Sequence, residues 1–450
     1  MDREVTLPDM LDAREARVWR QNQLLNEYAL PVVSFTMNIA GPVKNSTIIR
    51  RAFREGLNRL EDALRAGRMA IKAKETLDRH TGCEALLVVS GDEQALKALC
   101  VSLEDEDALG RLFDIDVLSP TGGKLDREAL GCPPRPCLIC GREGKFCSSR
   151  RLHTVEELQA KTQHILRAFF AQKDADTLAS QAVRALLYEV CASPKPGLVD
   201  RLNAGSHSDM DIFTFMDSAA ALTGYLRKAV LLGMDTADKP AEESFLLLRR
   251  LGLAAERDML TATKGVNTHK GAIFSLGTVC CATGRLWTPE RPWALAEDLL
   301  KEAGRLYEKE AVRDLAAIRE HSADTAGGQL YLQYGFKGIR GELAQGLPSV
   351  GDIGLPALRR ALEAGADLEQ AGLAALVQLI KHVTDTNLLS RGGIEGQQWA
   401  AEQAGQLRCP MPTREELEKM DRDMIARRLS PGGCADLLAI TYFLYFLSQL

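Results

Sequence analysis

The spacing of apolar and polar residues divides the chain into two parts with different secondary structure. Up to about residue 150, helical spacing alternates with short runs rich in β-branched and aromatic residues. The pattern predicts helices over 9–28 and 48–66, an exposed acidic piece over LEDEDAL (103–109), and strands over LPVVSFTMNI (30–39), EALLVVSG (84–91) and RLFDIDVLS (111–119). This mixture predicts an N-terminal α+β domain with a mixed sheet.

After about residue 175 the strand patterns give way to helical spacing alone. Apolar residues recur three and four positions apart over 176–193, 211–234, 244–262 and 368–383. The charged helical stretch 149–177 is the predicted junction, so we place the two domains at 1–165 and 166–450. The apolar C-terminal stretch 436–450 is too short for a membrane span and predicts a buried terminal helix. The second domain is therefore predicted to be all-α.

Composition narrows the class of protein and its compartment. The 450 residues carry a net charge of −5 without a long basic run, which argues against a nucleic-acid surface. The N-terminus MDREVTLPDM lacks a signal-peptide pattern. Eleven cysteines, an odd number dispersed apart from one cluster, argue for a reducing compartment and against a disulfide framework. A cytoplasmic location is therefore predicted.

Two aspartates interrupt the third predicted strand, GRLFDIDVL. On a strand, residues two apart point to the same face, so Asp114 and Asp116 are predicted neighbours. Two carboxylates that close repel one another unless a cation lies between them, and Mg²⁺ bound to substrate phosphates is a common solution. The alternative is an edge strand with a solvated polar face.

The segment before this strand favours the metal interpretation. The first predicted strand ends in a glycine-containing loop, and a helix capped by Ser46 follows. Loop amides, the helix N-terminus and nearby basic side chains can bind phosphate. The candidate phosphate-binding residues are Gly41, Lys44, Arg50, Arg51 and Arg111. Strand, loop, helix and a second strand with two aspartates is the order of parts in nucleotidyltransferase-like enzymes, so the first domain is predicted to be nucleotidyltransferase-like.

A cysteine-rich segment carries four candidate metal ligands. Cys137, Cys140, Cys147 and His153 have the spacing C-x₂-C-x₆-C-x₅-H, and such a set can hold a structural Zn²⁺ tetrahedrally. Only one CxxC pair is present, and Cys132 is a fifth candidate. A set of reduced, partly buried thiols is therefore an open alternative.

Three polar, glycine-rich segments interrupt the helices of the second domain. They are SPKPGLVDRLNAGSHSDMD (193–211), TKGVNTHKGAIFSLG (263–277) and DTNLLSRGGIEGQQWA (385–400). Each alone is explained by capping and turn chemistry. Together they predict a polyanion site, in which the amides of a helix N-terminus and Lys270 receive phosphate.

Residues 1 to about 165 resemble the citrate lyase prosthetic-group transferases, the apo-citrate lyase phosphoribosyl-dephospho-CoA transferases. The segments that carry the resemblance are SFTMNIAGPVKNS, IRRAFREG, GRLFDIDVL and CLICGREGKFCSSRRLH. The resemblance implies transfer of a phosphoribosyl-dephospho-CoA group to a serine of the lyase's acyl carrier subunit, with pyrophosphate leaving. Mg²⁺ on Asp114 and Asp116 would then neutralise charge on the phosphates.

Residues from about 175 to 450 resemble the ATP:dephospho-CoA triphosphoribosyl transferases. The matching segments are EVCASPKPGLVDRLNAGSHSDMD, GVNTHKGAIFSLG and the SRGG region. The resemblance implies that ribose C1 of ATP is joined to a hydroxyl of 3′-dephospho-CoA, with release of adenine. Such a displacement needs an acid and a base. The catalytic candidates are Glu189, Asp200, His207, Asp209, Asp211 and His269, and the candidate triphosphate contacts are Lys195, Arg201, Asn267, Lys270 and Arg391.

The two implied reactions are consecutive, because the product of the second domain is the substrate of the first. The sequence therefore predicts a bifunctional transferase whose partners are ATP, 3′-dephospho-CoA and the apo-citrate lyase acyl carrier subunit, with Mg²⁺ and a structural Zn²⁺ as expected cofactors. One alternative keeps the chemistry and changes the client to a carrier of the malonate decarboxylase type. The other is a non-catalytic cysteine-rich binding module on a helical scaffold.

Overall fold

The computed structural model describes residues 3–121, 123–321 and 326–450. By their internal contacts the residues form two units, Met1–Ala171 and Gln172–Leu450. The boundary falls inside one long helix, α5 (Val155–Cys191), which runs without a break through the charged stretch predicted as the junction.

The first unit combines one sheet with helices. Each of the three predicted strands is present, and a polar fourth strand, β2, joins them. Ser46 caps α2 as predicted, its hydroxyl accepting a hydrogen bond from the Ile49 amide. The elements before α5 are α1 (Leu7–Tyr28), β1 (Val32–Met37), α2 (Thr47–Ala66), β2 (Ala70–Arg79), β3 (Gly82–Ser90), α3 (Glu93–Asp105), β4 (Phe113–Leu118) and α4 (Gly144–Ser149).

The four strands are arranged in the order β2-β3-β1-β4, and each neighbouring pair is antiparallel. The prediction of a mixed sheet is therefore wrong. β3 and β4 are joined by the α3 crossover and run in the same direction. If they were neighbours in the sheet, they would form a parallel pair. Here β1 lies between them and runs the opposite way, so no parallel pair forms in the described sheet. β4 is left as an edge strand.

The core of the first unit fixes which way β4 faces. Phe113, Ile115 and Val117 are fully buried, whereas Asp114 and Asp116 alternate with them on the other face. The Phe113 ring packs edge-on against Phe35, with centroids 5.4 Å apart. Burying three large apolar side chains on one face leaves the strand no freedom to turn the aspartates inward.

The second unit is built from helices, and the described part of residues 172–450 contains no strand. A π-helical turn, Ser349–Gly354, precedes α12. The helices after α5 are α6 (Ile212–Asp235), α7 (Ala241–Ala262), α8 (Lys270–Leu286), α9 (Ala296–His321), α10 (Ala326–Tyr334), α11 (Gly338–Ala344), α12 (Leu355–Glu363), α13 (Leu368–His382), α14 (Thr386–Gln406), α15 (Arg414–Ala426) and α16 (Gly432–Leu447).

One of the three segments predicted to interrupt the helices is itself helical. Residues 386–400 belong to α14, which departs from helical geometry only at Gly393 (φ 62°, ψ −164°). The glycines there mark a kink, because only that one residue adopts a conformation that favours glycine. The other two segments are irregular up to the starts of α6 and α8. The terminal helix α16 is largely buried, as predicted. Among the helices described here, none combines the length and apolar character needed to cross a bilayer.

Candidate active sites

A cavity of about 860 Å³ lies beside β4 in the first unit, and both Asp114 and Asp116 line it. Most of the other charged side chains around it are basic. They are Lys97, Arg111, Lys124, Arg127, Arg135, Lys145 and Arg151. Glu104, Asp126 and Glu128 are the other acidic residues at its wall. A cavity with more basic than acidic side chains attracts an anionic substrate.

Each aspartate of the pair contacts a cation. Asp116 Oδ1 lies 2.6 Å from Lys124 Nζ, and Asp114 Oδ1 lies 3.7 Å from an Arg135 guanidinium nitrogen. The Thr36 hydroxyl is 3.4 Å from Asp114 Oδ2. Two like charges on one face of a strand are thus balanced by basic side chains from the loop that follows β4.

The exposed edge of β4 is covered by two buried charged side chains from α3. Glu104 accepts a hydrogen bond from the Ile115 amide at 2.9 Å, and Lys97 donates one to the Ile115 carbonyl oxygen at 3.1 Å. Burial raises the pKa of Glu104, and the nearby Arg135 charge opposes that rise. An edge strand normally leaves such backbone groups to solvent or to another strand. Here they are satisfied from within, which holds the aspartate pair at a fixed place.

The predicted phosphate cradle before α2 is not part of this cavity. Lys44 donates to the Ile39 carbonyl oxygen at 2.5 Å, and Arg50 donates to Asn45 Oδ1 at 3.3 Å. The Arg51 guanidinium lies over the Phe170 ring, 4.1 Å from its centroid. A Cβ on Gly41 would lie 2.0 Å from the Gln159 side chain. Of the five predicted phosphate ligands, Arg111 alone lines the cavity that contains the aspartates.

Sequence reasoning missed the basic residues that do line it, above all Lys124, Arg127 and Arg135. Several buried nitrogens of these residues and of the predicted Arg111 have no hydrogen-bond partner among the residues that the structure describes: Arg111 Nη1, Arg127 Nε and Nη1, and Arg135 Nε. Arg127 Nη1 lies 3.6 Å from Glu104 Oε2. A buried donor left unpaired costs free energy that an anionic ligand would recover. These residues lie in irregular chain without periodic spacing, so no sequence signal placed them beside β4.

The four predicted metal ligands converge. The candidate ligand atoms of Cys137, Cys140, Cys147 and His153 all lie within 4.8 Å of one another. The sulfurs of Cys140 and Cys147 are 3.5 Å apart. His153 Nε2 is buried and has no hydrogen-bond partner within the described chain. Cys132, the fifth candidate, is not part of the group.

This cysteine-rich segment is tied to the aspartate strand by backbone contacts. Arg135 donates to the Phe113 carbonyl oxygen at 2.6 Å, and its own carbonyl oxygen accepts from the Gly144 amide at 2.9 Å. The Arg111 guanidinium donates to the Pro136 carbonyl oxygen. The position of Arg135 in the cavity therefore depends on how the cysteine segment is folded.

In the second unit a larger cavity, of about 1300 Å³, is lined by residues from all three predicted polar segments. This volume exceeds the ~300–1,000 Å³ usual for one small ligand. The sequence-predicted residues that line it are Glu189, Lys195, His207, Asn267, His269, Lys270 and Arg391.

Glu189 and Lys195 form a buried ion pair at this cavity. Glu189 lies near the end of α5, Lys195 lies in the turn that follows, and the ammonium contacts Glu189 Oε1. Their exposures are only 4% and 1%. Burial raises the pKa of Glu189, and the Lys195 charge opposes that rise. Removing either partner would leave an uncompensated buried charge, so the two act as a unit.

Of the three histidines that line the cavity, His207 and His269 are held by hydroxyl groups, and His382 is exposed. His269 Nδ1 lies 2.7 Å from Ser218 Oγ, and burial lowers its pKa to about 3. Its Nε2 is buried and has no hydrogen-bond partner in the described residues. His207 Nε2 lies 2.9 Å from Ser430 Oγ, and burial together with the Arg391 charge lowers its pKa. Both imidazoles are thus neutral at pH 7.

Four predicted residues do not line the cavity. The Asp200 carboxylate accepts hydrogen bonds from the amides of Lys195 and Asn203 and holds that turn together. Arg201 pairs with Glu369. Asp211 caps α6 by accepting from the Thr214 amide at 2.9 Å. The Asp209 side chain is 62% exposed and 4.0 Å from His207 Nδ1. Turn and capping chemistry accounts for Asp200 and Asp211.

Five carboxyl groups that sequence reasoning missed line it. Glu256, Asp314 and Glu342 are engaged by Lys270, Arg249 and Ser349, and the other two are Asp385 and Asp436. Asp385 caps α14 and accepts from the amides of Asn387 and Cys434 at 2.7 and 2.8 Å. Asp436 lies in α16, and burial, with the nearby charges of Glu189 and Asp385, raises its pKa well above the usual range. A lone acidic residue in an otherwise apolar buried helix was the available signal.

Comparison with known proteins assigns both parts of the chain. Residues 175–450 match the family model for CitG, ATP:dephospho-CoA triphosphoribosyl transferase. Residues 5–169 match that for CitX, apo-citrate lyase phosphoribosyl-dephospho-CoA transferase.

Curated relatives contain both parts in the same order. The chain is 35% identical to Protein CitXG of Haemophilus influenzae, over 98% of this chain and 96% of that protein. It is 34% identical to Protein CitXG of Leuconostoc mesenteroides subsp. cremoris, over 98% and 97%. It is also 43% identical to the 2-(5''-triphosphoribosyl)-3'-dephosphocoenzyme-A synthase of Pectobacterium atrosepticum, over 59% of this chain and 87% of that protein.

Two separately lined cavities, together with two matches to transferase families, define a bifunctional transferase. The chain belongs to the CitXG family, with a CitX part followed by a CitG part, and it combines a synthase with a prosthetic-group transferase.

Proposed function

We propose that the chain makes a CoA-derived prosthetic group and installs it on a carrier protein. The second unit joins ribose C1 of ATP to a hydroxyl of 3′-dephospho-CoA, releasing adenine and forming 2′-(5″-triphosphoribosyl)-3′-dephospho-CoA. The first unit transfers the phosphoribosyl-dephospho-CoA group to a serine of the citrate lyase acyl carrier subunit, and pyrophosphate leaves. The observation that carries the proposal is that each family part contains its own cavity, lined by both acidic and basic side chains.

In the first unit, the basic side chains bind the triphosphate of the intermediate. Arg111, Arg127 and Arg135 offer buried donors, and Lys124 adds a charge beside Asp116. Asp114 and Asp116 are the oxygen ligands that would hold Mg²⁺, a hard cation, on the open face of β4. The ion would neutralise charge that develops on the phosphates, in chemistry of the nucleotidyltransferase type.

The cysteine cluster fits a structural Zn²⁺. Three thiols and one imidazole form a common donor set for this metal, and Zn–S bonds of about 2.3 Å in a tetrahedron place sulfurs about 3.8 Å apart. The 3.5 Å between Cys140 and Cys147 and the unpartnered Nε2 of His153 suit that geometry. The metal would fix the segment that delivers Arg135 to the cavity.

In the second unit, the volume of the cavity accommodates two nucleotides. Lys270 and Arg391 at its wall are placed to bind the triphosphate of ATP. The Lys270 ammonium forms an ion pair with Glu256 at 3.0 Å, and the Arg391 guanidinium donates a hydrogen bond to the Ser206 carbonyl oxygen at 3.0 Å. The neutral imidazoles of His207 and His269 add hydrogen-bonding groups without repelling a cation.

Joining both reactions in one chain raises the local concentration of an intermediate that each molecule makes and consumes. We propose a cytoplasmic location, which the eleven free cysteines favour. A carrier of the malonate decarboxylase type is the alternative client, because it uses the same group.

The proposal is tested by mass spectrometry of purified apo-carrier incubated with the protein, ATP, Mg²⁺ and dephospho-CoA. We expect the carrier to gain the mass of one phosphoribosyl-dephospho-CoA group. Parallel reactions with each apo-carrier identify the client. Asp114→Asn and Asp116→Asn should each abolish the gain without unfolding the first unit, whereas Asp62→Asn, at an exposed ion pair on α2, should not. An unmodified carrier with the wild-type protein would overturn the proposal.

A further inference from the structure

The carboxyl group of Asp436 differs from every other acidic group at the cavity of the second unit. Within the residues that the structure describes, it has no hydrogen-bond or ion-pair partner, although it lines the cavity. It also packs against the first turn of α8, because a Cβ on Gly271 would lie only 1.9 Å from Asp436 Oδ2. Only a glycine at this position leaves room for the carboxyl group where it stands.

The two carboxyl groups near it are already engaged. Glu189 is paired with the Lys195 ammonium, and Asp385 receives backbone amides on both of its oxygens. Their negative charges, added to burial, favour the protonated form of Asp436. A neutral carboxylic acid can donate a proton, so the cavity contains one uncommitted acid.

Three histidines also line the cavity: His382 is exposed, His207 is half-buried and His269 is buried. The environment of His269 excludes the role of proton donor. The imidazole is 3% exposed, and a pKa of about 3 leaves it neutral at pH 7. Its Nδ1 is engaged by Ser218. A neutral imidazole is a weak acid, so His269 contributes hydrogen bonding and not proton donation.

We propose that Asp436 is the proton donor to the purine that leaves ATP in the second unit. This inference rests on the proposed function. As the bond between ribose C1 and the purine nitrogen breaks, the Asp436 proton moves to a ring nitrogen, so that neutral adenine departs. The hydroxyl oxygen of dephospho-CoA forms the new bond to C1, and its proton is released to water. Asp436 then regains a proton from water, so atoms and charge balance.

The test compares two leaving groups in wild type and Asp436→Asn. Asparagine has the shape of the neutral acid and no transferable proton, so ATP binding and thermal unfolding should stay as in wild type. Adenine release should fall by about 10²- to 10⁴-fold, the range for loss of general acid catalysis. 4-Nitrophenyl riboside 5′-triphosphate has a leaving group that needs no proton. The variant should turn over this substrate within about tenfold of the wild-type rate.

Three readouts separate this inference from the proposed function. If the wild-type protein releases no adenine, the proposed function itself is wrong. With active wild type, an Asp436→Asn variant that keeps adenine release, or that loses both substrates equally, overturns the inference alone. The decline of adenine release at alkaline pH should disappear in the variant. As a matched control, exposed Asp258→Asn should behave as wild type on both substrates.

Discussion

The guanidinium of Arg135 donates a hydrogen bond of 2.6 Å to the carbonyl oxygen of Phe113, the residue immediately before Asp114. Arg135 lies two residues before Cys137, so one side chain connects the cysteine cluster to the strand that carries the acidic pair. Its other terminal nitrogen lies 3.7 Å from Asp114 Oδ1. The two features that the sequence presented as separate motifs are therefore parts of one site.

Arg135→Lys should weaken transfer to the carrier. A lysine ammonium cannot contact the Phe113 carbonyl oxygen, Asp114 and a phosphate in the fixed fork that a guanidinium provides. Charge-assisted hydrogen bonds contribute about 1.5–3 kcal/mol, so kcat/KM for preformed intermediate should fall by about 10- to 100-fold. The measurement is steady-state transfer to apo-carrier. Arg65→Lys, at an exposed pair on α2, is the control, and equal kinetics for both variants would contradict this role.

Cys140→Ser should remove zinc and, with it, the order of the loop that carries Arg135. We expect metal analysis to give about one zinc per chain for wild type and much less for the variant. The first unit should unfold at a lower temperature, while adenine release by the second unit stays unchanged. Cys132→Ser is the matched control, because Cys132 lies outside the cluster. Full zinc content in Cys140→Ser would exclude this cysteine as a ligand.

The limits of prediction are visible in the same region. Spacing of two on a strand was enough to place Asp114 and Asp116 on one face, because the buried partners Phe113, Ile115 and Val117 fix the strand's orientation. The basic residues of the cavity could not be placed from the sequence. Lys124 and Arg135 reach the cavity through loop conformation, which has no periodic signal.

Exposure was also misjudged where tertiary contacts override composition. The LEDEDAL stretch was predicted to be an exposed acidic piece, yet Glu104 is 4% exposed because it accepts from the Ile115 amide at the sheet edge. β2 was missed because none of its residues is buried, as an edge strand allows: Ile71, Ala73 and Glu75 are partly exposed, and the others are exposed. In the second unit, glycines of α14 were mistaken for a loop.

The stability of the second unit should depend on pH through His269. Its pKa is lowered to about 3 by burial and by the Lys195 charge, whereas an unfolded histidine titrates near 6.5. The stability that this depressed pKa contributes is fully present above about pH 6.5. It is lost progressively as pH falls towards the folded value, since only the unfolded chain takes up the proton there.

The corresponding measurement is urea unfolding between pH 7 and 5, followed by fluorescence. Trp19 is the one tryptophan of the first unit, so a Trp19→Phe background restricts the signal to the second unit. As pH decreases, the free energy of unfolding should fall more steeply with His269 present than in His269→Asn. The two slopes should differ by up to about 1.4 kcal/mol per pH unit. Identical slopes would contradict the buried, neutral state of this imidazole.

Gly271→Ala should impair adenine release by displacing the Asp436 carboxyl group. Alanine favours a helix by about 1 kcal/mol over glycine, so the substitution would stabilise α8 if nothing opposed the new methyl group. That methyl group would lie 1.9 Å from Asp436 Oδ2, and the carboxyl group must move. Gly224→Ala on α6 is the matched control, because no atom lies within 4 Å of its added Cβ. It should keep wild-type activity and be slightly more stable.

A double-mutant cycle shows whether the effect of Gly271→Ala passes through Asp436. If the methyl group acts by moving the acid, adding Gly271→Ala to Asp436→Asn should cost much less activity than adding it to wild type, because the proton is already missing. Rates of adenine release from the four proteins give the coupling directly. Fully additive losses would mean that Gly271 supports the site by another route, such as the start of α8 at Lys270 and the proposed contact of that residue with the triphosphate.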